Sequence, residues 1–98
     1  MTIKEIKDQL KDSDKPVAKS FHTGEKFKVL LFEFNKGMKL EDHEAKHPTK
    51  LLVLEGDVMY HEEKKDIRLK QYDEIDIPAN VTHSLGAVKE SIVLLTQG

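Results

Sequence analysis

Gly37-Met38-Lys39-Leu40-Glu41-Asp42-His43, running on to Leu54-Glu55-Gly56-Asp57, and Ile77-Pro78-Ala79-Asn80-Val81-Thr82-His83 decide how this chain is read. Each segment sets one histidine beside a strand-like run bounded by turn residues, which is how a small β-barrel brings imidazoles from distant strands to one interior point. His43 and His83 are therefore the first candidates for a site.

Outward from these segments the pattern is strand after strand. Val17 to His22 and Phe27 to Phe34 come first, the second with apolar residues on both parities, as in a strand covered on two sides. Leu51 to Leu54 continues through Gly56-Asp57 into Val58, Met59, Tyr60 and His61, and Glu62-Glu63-Lys64-Lys65 reads as a polar hairpin tip. Ile67 and Leu69 alternate with charges, as do Ile75 and Ile77, and Ile92 to Leu95 closes the chain. Short strands at this spacing predict an all-β antiparallel sandwich or barrel. Before them, Thr2-Ile3-Lys4-Glu5 has the spacing of a capping box, and Ile3, Ile6 and Leu10 fall on one helical face, so a short amphipathic helix is expected over residues 3–11. Residues 1–15 thus read as helix and linker, and 16–98 as the β domain.

The 98 residues allow one domain, which buries roughly two-thirds of the surface its unfolded chain exposes. Without cysteine there are no disulfides, thiolate metal sites or cysteine nucleophiles. Sixteen basic and eighteen acidic residues interleave to a formal charge of -2, and there is no tryptophan. A phosphate backbone would find neither a basic stripe nor a stacking platform, so nucleic acid is not an expected partner. The N-terminal segment mixes charge with apolar residues, reads as neither signal peptide nor membrane anchor, and leaves a cytoplasmic protein as the expectation.

With both segments in view, the chain resembles a small single-domain cupin from about Val17 to Leu95. Gly37, His43 and Gly56 stand at the first cupin motif's glycine, histidine and closing glycine, and Asp73, Pro78 and His83 fit the second motif. Tyr72 and Asn80 replace two of its glycines, the latter a sensible exchange because asparagine tolerates positive φ. The resemblance implies a cupin-type jelly roll with a pocket for a small molecule. It also implies a homodimer, since an uncovered edge strand otherwise invites uncontrolled pairing.

Metal-binding cupins resemble one another in using two histidines and a glutamate from the first motif plus a histidine from the second. Carried over, His43 and His83 match the first and last ligands, while Ala45 stands at the second histidine and Thr49 or Lys50 at the glutamate. Two imidazoles alone hold a divalent ion such as Fe, Mn, Ni or Zn weakly. His47 is the candidate third ligand, but in a straight strand it lies about 13 Å from His43, so a bend would be required. A three-histidine site, a two-histidine site and a metal-free pocket remain open. His43-Glu44-Ala45-Lys46-His47 also satisfies the zinc-protease pattern H-E-x-x-H, which works only in a sustained helix, and Pro48 follows at once. Tyr60 and Glu41 are the expected pocket residues near the histidines. Two functions follow from the resemblance: a barrel that binds a small polar ligand, or a metal-dependent enzyme of dioxygenase or isomerase type.

Overall fold

A computed structural model describes all residues, Met1–Gly98. One helix, α1 (Thr2–Leu10), precedes nine strands: β1 (Val17–Thr23), β2 (Lys28–Phe34), β3 (Lys39–His43), β4 (Thr49–Glu55), β5 (Asp57–Glu62), β6 (Lys65–Lys70), β7 (Glu74–Ile77), β8 (His83–Ala87) and β9 (Ser91–Gln97). They form two sheets, ordered β1-β2-β9-β4-β7 and β3-β8-β5-β6. Every pairing is antiparallel. The expected jelly roll is the observed fold.

Alternation along the strands explains the core. Leu51 and Val53 on β4, Val58 and Tyr60 on β5, and Leu85 and Ala87 on β8 all turn inward and are buried together with Phe34, Val93 and Leu95. The opposite face of the five-stranded sheet is covered at β1 and β2, where α1 lies on it. Ile6 packs there with Leu31 and Ile92, which is why β2 carries apolar residues on both parities. Burying Ile6 completely contributes about 2 kcal/mol to docking the helix. Thr2 is the first helical residue and makes no capping hydrogen bond, Met1 occupying the cap position, so the expected capping box does not form.

One irregularity places the site. On β3, Leu40 pairs with Leu85 and His43 with His83, so Glu41 and Asp42 together face the single residue Ser84. Leu40 and His43 are three positions apart and would point to opposite faces of a regular strand. The extra residue of this bulge turns both side chains inward.

Candidate functional site

His43 closes β3, His83 opens β8, and register sets them opposite each other. Their ring centroids are 4.1 Å apart at an interplanar angle of 60°. The Nδ1 of His43 lies 3.1 Å from the Glu41 carbonyl oxygen, and that of His83 lies 3.0 Å from the Val81 carbonyl oxygen. A carbonyl can only accept, so each Nδ1 carries the proton and donates, and each neutral ring is left with a lone pair on Nε2. His83 is buried and His43 half-buried. Burial pushes the His83 imidazole below its ordinary value of 6.5; the Val81 hydrogen bond opposes this, His43 adds to it, and the Glu62 and Asp42 carboxylates work against it. The neutral, lone-pair-bearing form is thereby favoured.

No family model matches this sequence, and no curated protein matches it either. Solved structures do. A cupin superfamily protein from Desulfitobacterium hafniense superposes with a TM-score of 0.82 at 19% identity, covering 87% of this chain and 78% of its own. An RmlC-like cupin protein from Desulfovibrio desulfuricans gives 0.80 at 26% identity, over 87% of this chain and 83% of its own. This chain has the small cupin fold. One larger cupin-fold relative, salicylate 1,2-dioxygenase from Pseudoaminobacter salicylatoxidans, gives 0.86 at 16% identity, covering 98% of this chain but 31% of the enzyme.

Within the cupin barrel, Tyr60 and Glu62 complete the surroundings of the histidine pair. Val58, Tyr60 and Glu62 share one face of β5, and Glu62 is the register partner of His83. The Tyr60 ring stacks on His83 with centroids 5.9 Å apart, and its hydroxyl donates a 2.6 Å hydrogen bond to Glu62 Oε1. Burial, aided by the Glu62 carboxylate, raises the Tyr60 hydroxyl far above its ordinary value, so it remains a donor. Tyr60 was expected at the pocket from sequence; Glu62 was read as part of a solvated hairpin tip. The strand runs one residue further than the charged tip suggested, and period-two alternation from Val58 was the signal for its inward orientation.

The other candidates are placed differently. Glu41 is exposed; its backbone carbonyl orients His43, and the residue lines an open cleft along β3 with Gly37, Met38, Leu40 and His43. His47 is exposed and lines a different cleft with Phe27, Lys28 and Gln97. The segment after His43 carries it there, with Ala45 rather than His47 buried and the Ala45 carbonyl accepting from the Asn80 N–H at 2.8 Å. The fold does not bring His47 to the pair, and no three histidine, cysteine, aspartate or glutamate side chains converge on one point. His43 to His47 is not helical, so the zinc-protease geometry is absent. Of the two residues expected at the cupin glutamate position, Thr49 is buried and donates from Oγ1 to the His47 carbonyl at 3.2 Å, and Lys50 is exposed and pairs with Glu74 and Asp76. Two imidazoles are thus the protein donors that an ion here would meet, and its remaining positions would have to be filled by water or a ligand. His22 and His61 are exposed, the first with its ring tilted against Phe27 and the second paired with Asp66 at 2.6 Å. No helix is long and apolar enough to cross a membrane.

Proposed function

We propose that this protein is a binding cupin whose barrel holds a small polar ligand on His43 and His83, with a weakly held divalent ion (Fe, Mn, Ni or Zn) as the partner those imidazoles accept. The observation that carries this reading is the matched pair of Nδ1 hydrogen bonds, which leaves each of two neighbouring rings an Nε2 lone pair with no hydrogen-bond partner. Such lone pairs accept O–H or N–H donors of a ligand, or ligate a metal. A metal-dependent enzyme of dioxygenase or isomerase type is the second reading, favoured by the inward carboxylate and phenol beside His83. A bound ion would supply Lewis acidity there, and Tyr60 would supply a proton donor.

Metal analysis and calorimetry on wild type, His43→Ala and His83→Ala test the reading. Binding that both substitutions abolish supports it, and equally low metal and heat in all three proteins ends it. A homodimer is part of the same reading, because β1 is a sheet edge that exposes Phe21. Sedimentation giving a mass of 11.2 kDa would remove that part.

A further inference from the structure

We propose that Glu62 is the charge-balancing carboxylate of the His43–His83 site, held in place by the Tyr60 hydroxyl and acting on a cation from just outside direct contact. The proposal rests on the reading that the imidazole pair is the binding centre. It adds the class of ligand: a divalent cation or a hydrogen-bond donor, with carboxylates and phosphates disfavoured.

Glu62 faces inward on β5 and lies directly across from His83 on β8. Only 17% of its side chain is exposed. Its Oε1 accepts from Tyr60 at 2.6 Å, the short distance of a charge-assisted bond, while Oε2 is approached at 3.6 Å by Lys65, an exposed residue at the hairpin tip. The carboxylate is thus fixed on its inner side by a buried phenol and balanced on its outer side by an exposed surface lysine. Neither residue expected at the carboxylate-ligand position supplies one: the Thr49 hydroxyl is committed to a backbone carbonyl, and Lys50 is a cation paired with Glu74 and Asp76. An ion on two neutral imidazoles keeps its full charge; of the two carboxylates that act on His83, Asp42 is exposed, whereas Glu62 is the cross-strand partner of His83 and faces inward. Because no third acidic or imidazole group converges with the pair, Glu62 acts through a water or through the ligand. Groups in such positions typically change metal affinity by about 10- to 100-fold.

Titration calorimetry with Ni²⁺ at neutral pH on the full chain tests this. Glu62→Gln keeps the shape and removes the charge, and is expected to raise Kd by about 10- to 100-fold. Glu63→Gln removes the same charge from the adjacent exposed residue and is expected to bind as wild type. Tyr60→Phe is expected to weaken binding in the wild-type background and to have no further effect beside Glu62→Gln, because a positioning residue acts through the group it positions. Circular dichroism checks that each variant is folded. Wild-type affinity in Glu62→Gln, with binding lost in His83→Ala, overturns the role of Glu62 and leaves the imidazole site standing. Equal loss from Tyr60→Phe in both backgrounds overturns the positioning role. Absence of histidine-dependent Ni²⁺ binding in wild type overturns the site and this proposal together.

Discussion

His43 and His83 are cross-strand partners whose rings carry the same hydrogen bond, each to the carbonyl two residues earlier in its own chain segment. Burial is the largest influence on His83 and lowers its pKa below 6.5. An unfolded chain therefore binds its proton more readily than the folded one, so the contribution of His83 to stability is complete above about pH 6.5 and is lost as pH falls through the folded value. NMR titration of the metal-free protein is expected to give a His83 midpoint below 6.5. A midpoint at or above that value would mean that burial is outweighed by the Val81 hydrogen bond and the Glu62 and Asp42 carboxylates.

Gly56 sits between β4 and β5 at φ +105°, where a Cβ would stand 2.2 Å from Ser91 Oγ and 2.5 Å from the Glu90 carbonyl oxygen. Ser91 cannot move aside freely, because its Oγ is buried and accepts from the Asp57 N–H at 3.0 Å. Gly56→Ala adds backbone strain to this collision and is expected to cost on the order of 3 kcal/mol in urea unfolding. A loss below about 1 kcal/mol would show that the β4–β5 turn can re-form around a methyl group.

The strands along the chain and the two histidines were legible because period-two alternation and turn residues are local signals. Asn80 was legible for the same reason, and it adopts φ 64° in place of a glycine. The bulge at Glu41-Asp42 was not, since nothing in those two residues distinguishes a regular strand from one that skips a partner; it is a matter of register with Ser84, on a strand distant in sequence. Glu62 was misplaced because a run of four charges looks like a solvated tip, although the inward parity of Val58 and Tyr60 already extends to it. His47 was left open by sequence because its position depends on the path of the segment between β3 and β4. That path is set by packing, with Ala45 buried against the Asn80 turn.

Tyr72 shows the same exchange as Asn80 with a less tolerant side chain. It adopts φ 72° in the β6–β7 turn, where its N–H donates to the Val53 carbonyl at 2.7 Å, and its side chain is 73% exposed. The left-handed backbone costs a non-glycine residue about 1 kcal/mol, and little packing offsets that here. Tyr72→Gly is expected to raise stability by up to about 1 kcal/mol in urea unfolding. A destabilised variant would indicate that the phenol ring makes contacts in solution, for instance with a second copy of the chain.

Lys7 and Glu33 join α1 to the sheet beneath it, and their unequal exposure predicts unequal mutational costs. Glu33 is completely buried and neither carboxylate oxygen has a hydrogen-bond partner; Lys7 Nζ approaches Oε1 at 3.6 Å and also reaches Glu55 at 3.5 Å, with 42% of its side chain exposed. Burial raises the Glu33 pKa above 4.5, and Lys7 offsets part of that. Lys7→Met leaves a buried carboxylate without its cation and is expected to cost about 2 kcal/mol at neutral pH, less than a fully buried pair would lose because Lys7 is half in water. Glu33→Gln removes the buried charge and leaves Lys7 facing solvent and Glu55, so its cost should stay below about 1 kcal/mol. A raised folded pKa contributes stability that is present below the unfolded value of 4.5 and is lost as pH rises through the folded value. The Lys7→Met deficit should therefore shrink as the solution is acidified toward pH 4.5, while Glu33→Gln loses that dependence. Parallel urea titrations across this range decide it: equal losses for the two variants, or a larger one for Glu33→Gln, would show that the carboxylate anchors the helix as a hydrogen-bonding group and not as an ion that requires Lys7.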